Sequence, residues 1–193
     1  MIDSYLNQIT AFQKEHSEKG YNVSTGIDNE DYRLLYDYII EHKPKHIVEY
    51  GSGYSTWFLY NVINDLNLNT KLTSYENDTV FYNYIIDNFS FLKNTVNLVD
   101  IGCVDTVVCK HRVLAQEYTS CRFLHSYKDI EEVDFVIIDG PGYSGSPYCN
   151  CEITLNWEDL SKHFKRDIKC WIDGRNCCRD YYKEIGYSKL MIG

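Results

Sequence analysis

The sequence predicts an α/β fold, built on a mostly parallel sheet of about six to seven strands with helices on both faces. Strand-like and helix-like segments alternate along the chain, which is typical of parallel strands joined by helical crossovers. Three strand-like segments also end in an acid, namely Glu49, Glu76 and Asp139. Parallel strands would aim these carboxylates at one edge of the sheet, where ligands of open α/β sheets bind.

Two helices are predicted before the first strand. Apolar residues at helical spacing predict a helix over residues 1–20, which is either a packed surface helix or a lid. Asp28 or Asn29 caps a second helix that runs to about His42. Pro44 then ends this helix before the strand begins.

The most informative stretch runs from His46 to Phe58 and joins a strand to a helix through a Gly-x-Gly turn. The glycines of such a corner, Gly51 and Gly53, permit unusual φ angles and let a ligand approach the main chain closely. The helix that follows, from about Ser55 to Asp65, offers its first N–H groups to that ligand. The corner therefore predicts a site for a nucleotide-like cofactor.

Further elements follow in the order that a parallel sheet requires. They are strands over 71–76, 96–101, 133–139, 168–173 and 187–192, and helices over 78–89, 152–165 and up to about 185. Residues 102–127 form either an extra hairpin or an irregular loop that contacts the substrate. Residues 140–151 are rich in Gly, Pro, Ser and Tyr and predict a long loop.

Length and charge restrict the class of protein. A chain of 193 residues suits a single domain, with an N-terminal helix and loop over 1–28 and a core over 29–193. No stretch reaches the roughly 18 apolar residues of a membrane span, and the N-terminus lacks the order of a signal peptide, so we expect a cytoplasmic protein. A net charge of −9 argues against nucleic acid as a partner.

Three motifs together carry a resemblance to a known family. They are Glu49-Tyr-Gly-Ser-Gly-Tyr-Ser55, Tyr75-Glu76 and Asp134-Phe-Val-Ile-Ile-Asp-Gly-Pro141. In this order they resemble the Rossmann-like class I S-adenosylmethionine-dependent methyltransferases, most closely the branch that methylates hydroxyls of small molecules and carbohydrates. The likeness runs from about Asn29 to Asp180. The family normally adds a final antiparallel hairpin, and this chain stops at about strand six, which leaves open that it is one domain of a larger enzyme.

The resemblance implies a binding role for the first two motifs. Gly51, Ser52, Gly53 and Ser55 would face S-adenosylmethionine, and Glu49 would help to hold the amino-acid end of the cofactor. Glu76 would accept the ribose hydroxyls, and it follows Gly53 at close to the roughly 20-residue offset expected of a ribose-binding acid.

Asp139 is the predicted catalytic residue, because the glycines and proline around it keep its carboxylate near the cleft. It would act as a general base or as a metal ligand. Cation-dependent O-methyltransferases bind one divalent ion through acids and an amide after strands four and five, and Asp139, Asp173 and Asn176 occupy comparable places. Oxygen ligands of this kind suit magnesium or manganese. The family's adjacent Asp-Asn pair is here split by Gly174-Arg175.

Other interpretations of the same residues remain open. His111, His125 and His163 are alternative bases, and Tyr143 and Arg175 are candidates for lining a pocket for a sugar or an anionic acceptor. An NAD(P)-dependent oxidoreductase would share the sheet edge and the ribose acid, but its fingerprint requires a third glycine where this chain has Thr56. A third interpretation is a non-catalytic, cofactor-binding scaffold domain.

Overall fold

The structure is a computed structural model that describes residues 1–20, 27–111, 114–126, 130–140 and 151–192. The strands are β1 (His46–Tyr50), β2 (Lys71–Glu76), β3 (Val96–Leu98), β4 (Ile101–His111), β5 (Leu114–Phe123), β6 (Phe135–Ile138), β7 (Cys151–Thr154), β8 (Lys169–Ile172) and β9 (Met191–Ile192). The helices are α1 (Ile2–Glu18), α2 (Asn29–His42), α3 (Tyr54–Asp65), α4 (Thr79–Asn88), α5 (Asn156–Phe164) and α6 (Asn176–Glu184).

A six-stranded sheet in the order β3-β2-β1-β6-β8-β9 forms the centre of the fold, and all of its neighbouring strands run parallel. Helices flank this sheet, so the predicted Rossmann-like α/β class is confirmed. From β1 the chain builds outwards through β2 and β3, and from β6 it builds outwards in the opposite direction. The carboxyl ends of β1 and β6 therefore meet at the point where strand order reverses, which is the usual ligand-binding position.

A second, three-stranded sheet contains the hairpin of β4 and β5, with β7 parallel to β5. The hairpin alternative for residues 102–127 is thus confirmed. The expected helix over 152–165 is wrong at its start, because Ile153 and Thr154 pair with β5 and the helix begins only at Asn156. The expected strand over 187–192 is also wrong in its first part, because residues Ser188–Leu190 form a 3₁₀ turn.

Hydrophobic residues pack on both faces of the main sheet. One cluster joins α1, α2 and α3 to the sheet and includes Tyr5, Ile9, Leu35 and Phe58. The other lies between the sheet, α5, α6 and the base of the β4–β5 hairpin. Every residue of β1 is buried, as expected for a central parallel strand. The apolar face of α1 belongs to the first cluster, so α1 is packed into the core.

Candidate functional site

Gly51 and Gly53 are required in the site for different reasons. Gly51 has a φ of +95°, and a Cβ atom there would lie 2.4 Å from the backbone nitrogen of Gly140. The two backbones therefore touch where β1 and β6 end, and neither glycine has room for a side chain. Gly53 has an extended φ of 179°, and a Cβ atom added there would lie 3.9 Å from Ser55 and 4.0 Å from Phe81, its nearest neighbours. Only Gly53 has the open face that a close-lying ligand requires.

The three amides of the glycine turn, which we define as Gly51–Gly53, all donate hydrogen bonds within the protein. Their acceptors are a strand carbonyl, a carboxylate and a hydroxyl. The bonds run from Gly51 N to Tyr75 O (2.9 Å), from Ser52 N to Glu76 Oε2 (3.1 Å) and from Gly53 N to Thr56 Oγ1 (3.0 Å). The backbone amides that a ligand meets at this turn therefore already donate hydrogen bonds within the protein.

Glu76 holds the turn through one oxygen and the start of α4 through the other. Its Oε2 also accepts from the Ser52 hydroxyl at 3.0 Å, and its Oε1 accepts from the amides of Asn77 and Asp78 at 2.8 and 2.9 Å. Burial raises the pKa of Glu76, although these hydrogen bonds lower it. A carboxylate has about four acceptor positions, so a ribose hydroxyl would have to replace one of these internal bonds.

Glu49 lies fully buried beneath the turn. Its Oε2 accepts hydrogen bonds from the hydroxyls of Thr56 (2.5 Å) and Ser74 (2.6 Å). Burial raises its pKa to about 7, against the opposing effect of the hydroxyls of Ser55, Ser74 and Thr56. The other oxygen of Glu49 and the Ser55 hydroxyl are buried without a well-oriented hydrogen-bond partner among the described residues.

Asp139 and Asp173 follow the neighbouring strands β6 and β8, and the two carboxyl groups influence each other's pKa. Burial raises the pKa of both groups, and the negative charge of Asp173 raises that of Asp139 further, while Arg175 opposes both effects. The structure thus brings together two of the three predicted metal ligands.

The third predicted ligand, Asn176, is an exposed residue at the first position of α6. Across the described ranges, no group of three or more His, Cys, Asp or Glu side chains could hold a metal ion.

Arg175, a candidate for lining an acceptor pocket, is buried and donates from Nη2 to the carbonyl oxygen of Asp139 at 2.9 Å. Its guanidinium therefore lies beside the acid pair.

Sequence reasoning missed two groups that hold the start of α3. The buried His16 ring of α1 lies 2.5 Å (Nδ1 to OH) from Tyr54, the first residue of α3, and Tyr54 in turn contacts the Tyr84 hydroxyl at 3.1 Å. No local pattern links residues so far apart along the chain. The second group is Thr56, whose place three residues after Gly53 matches the spacing of a capping box.

The alternative bases differ in how far the structure describes them. His125 and His163 are exposed, whereas Tyr143 and the His111 side chain lie outside the described residues.

None of the described helices has both the length and the apolar character needed to cross a membrane. Comparisons with protein families, curated proteins and solved structures found no match to this chain.

Proposed function

We propose that this protein is an S-adenosylmethionine-dependent methyltransferase of class I, acting on a hydroxyl group of a sugar, a glycan or another small molecule. The observation that carries the proposal is the glycine turn at the meeting point of β1 and β6, with one acid pair and two single acids around it. These features occupy the sheet edge where ligands of this fold bind.

The internal bonding of the turn favours this cofactor over a dinucleotide. A pyrophosphate is bound by free amides of a glycine turn and a helix N-terminus. Here the amides of Gly51, Ser52 and Gly53 are engaged, and the Glu76 carboxylate that binds Ser52 would repel a phosphate. S-adenosylmethionine carries no phosphate, so it does not require the set of free amides that binds a pyrophosphate.

The residues around the turn suit each part of the cofactor. Gly53 supplies an open backbone face, and the adjoining Ser52 and Ser55 border it. Glu76 binds the ribose by exchanging its bond to the Ser52 hydroxyl for a bond to a ribose hydroxyl. Glu49, close to the turn, helps to hold the amino-acid end, whose positive charge favours an ionised carboxylate. The bound cofactor supplies the activated methyl group.

The acid pair supplies the proton chemistry. Transfer of a methyl group to a hydroxyl requires that the hydroxyl loses its proton. Burial raises the pKa of Asp139 and of Asp173, and the charge of Asp173 raises the pKa of Asp139 further, so an ionised Asp139 would be a stronger base than an ordinary aspartate. We assign Asp139 as the catalytic residue because it follows β6, the strand that adjoins the glycine turn.

A divalent ion, magnesium or manganese, is the alternative use of the same carboxylates. Metal ligands must be deprotonated, so an ion bound by Asp139 and Asp173 would hold both carboxyl groups in the ionised form, against the burial that raises their pKa. The amide of Asn176 is then the third oxygen ligand that we propose. In that arrangement the ion would lower the pKa of the acceptor hydroxyl.

Calorimetric titration of the protein with S-adenosylhomocysteine and, separately, with NAD tests the cofactor. We expect binding of S-adenosylhomocysteine and no detectable binding of NAD. Binding of NAD alone would indicate the oxidoreductase alternative. Binding of S-adenosylhomocysteine without methyl transfer to any hydroxyl acceptor, in a screen of sugars and small alcohols with radiolabelled cofactor, would instead support a scaffold role.

A further inference from the structure

Thr56 stands where the dinucleotide fingerprint has its third glycine, but its contacts give it a role of its own. Its side chain is fully buried on the first turn of α3. The Thr56 Oγ1 atom accepts from the Gly53 amide at 3.0 Å and lies 2.5 Å from Glu49 Oε2. A hydroxyl has one proton to give, so this proton goes to Glu49 while the oxygen receives the Gly53 N–H.

This relay of two hydrogen bonds fixes the turn from inside. The Thr56 hydroxyl directs the N–H of Gly53 towards α3 and links this amide to the Glu49 carboxyl group. The Ser74 hydroxyl also donates a hydrogen bond to Glu49 Oε2, at 2.6 Å. The neighbouring amide of Ser52 is held independently by Glu76. Of the two, the Thr56 bond is the one that orients the residue with the open face, Gly53.

We propose that Thr56 is a positioning residue that determines cofactor specificity, because it turns the Gly53 amide away from the ligand and leaves only the Cα face exposed to it. A ligand without a phosphate fits that face, whereas a phosphate ligand would require the amide that Thr56 holds. This inference rests on the proposed function for its effect on the cofactor. The orientation of the turn itself is independent of it.

Two substitutions separate the effect of the Thr56 hydroxyl from the effect of its bulk. Thr56→Val keeps the shape and removes the hydroxyl, whereas Thr56→Ser keeps the hydroxyl. Thr73→Val is the matched control, since it removes another threonine hydroxyl, one that contacts His46 Nε2 at 2.8 Å at the far end of β1. If Thr56→Val does not fold, Thr56→Cys replaces it, because a thiol is a weak hydrogen-bonding group.

Amide hydrogen exchange of a peptide covering residues 51–57, measured without any ligand, reports directly on the hydrogen bonds of the glycine turn. We expect faster exchange in Thr56→Val, with wild-type exchange in Thr56→Ser and in the control. Unchanged exchange in Thr56→Val, or faster exchange spread evenly over the whole chain, would overturn the positioning role. Since no cofactor is present, this result does not depend on the proposed function.

Calorimetry with S-adenosylhomocysteine then tests the link to the cofactor. Loss of one hydrogen bond that orients the site should weaken binding by about tenfold in Thr56→Val. Affinity in Thr56→Ser and Thr73→Val should stay within about twofold of the wild type. Faster exchange at the turn together with an unchanged affinity in Thr56→Val would contradict the specificity role. If the wild type itself fails to bind S-adenosylhomocysteine, the proposed function fails, and the exchange result still decides whether Thr56 orients the turn.

Discussion

Glu49 should make the stability of this protein depend on pH near neutrality. Its carboxyl group is fully buried beneath the glycine turn, and burial raises its pKa from an ordinary 4.5 to about 7. Between these two pH values the unfolded chain carries an ionised Glu49, whereas the native protein keeps it protonated. The native state binds more protons in this window, so stability falls as pH rises through it.

The size of the effect follows from the same two values. One pKa unit corresponds to about 1.4 kcal/mol, so ionising Glu49 costs the native state about 3 kcal/mol, and the whole loss is present once pH exceeds 7. Glu49→Gln removes the titration and keeps an oxygen that can accept from Thr56 and Ser74. Part of this cost is already present at pH 5, so we expect this variant to gain about 2.5 kcal/mol relative to the wild type between pH 5 and pH 8.

Urea denaturation of both proteins at pH 5, 6, 7 and 8 measures this difference. A constant cost of the added amide cancels in the comparison between pH values, and the other buried acids are present in both proteins. Glu41→Gln, which removes a charge on the exposed side of α2, is the control and should follow the wild type. If wild type and Glu49→Gln lost stability in parallel as pH rises, the reasoning about Glu49 would be refuted.

Three further substitutions test the glycine turn and the acids. Gly51→Ala should lower the free energy of unfolding by roughly 3 kcal/mol in urea denaturation, because its φ is +95° and its methyl group would collide with Gly140. Glu76→Ala should weaken S-adenosylhomocysteine binding by roughly 1.5–3 kcal/mol in calorimetry, the range for a hydrogen bond to a charged group. Asp139→Asn should cut turnover by about two or more orders of magnitude, while S-adenosylhomocysteine affinity changes little.

Each of these expectations has a contrary result. A Gly51→Ala protein as stable as the wild type would mean that β1 and β6 do not approach each other closely enough to exclude a methyl group. Unchanged affinity in a folded Glu76→Ala would remove Glu76 from the site. Near-normal turnover in Asp139→Asn would exclude this residue both as base and as metal ligand. With wild type, activity that is lost with a chelator and restored by magnesium or manganese would favour the ion, whereas indifference to chelator would favour Asp139 or a nearby histidine as a direct base.

The parts of the fold that local patterns determine could be predicted from the sequence. The glycine corner, the strands β1, β2 and β8 and the helix cap at Asp28 follow from short-range periodicity and side-chain chemistry. The strand β7 could not be predicted, because it exists through pairing with β5, which lies far away in sequence. Its four residues directly precede a helix, and their local pattern does not separate them from it.

The same distinction applies to the candidate site. The ends of parallel strands predict that Asp139 and Asp173 share one edge, and the structure places them after the neighbouring strands β6 and β8. The raised pKa of both acids could not be predicted, since it depends on their burial and on the opposing charge of Arg175. The role of Thr56 could not be read from a glycine fingerprint either, because it depends on a hydroxyl that bonds both Gly53 and Glu49.

The affinity of Gly53→Ala for S-adenosylhomocysteine, measured by calorimetry beside the wild type, tests most directly whether the glycine turn binds this cofactor. The φ of Gly53 suits any residue, and a methyl group there has only ordinary contacts, so the variant should fold with a loss of at most about 1 kcal/mol at the helix N-cap. A cofactor lying against Gly53 would collide with that methyl group, and we expect binding to weaken by about tenfold or more. Wild-type affinity in the folded variant would contradict the proposal that the cofactor lies on this turn.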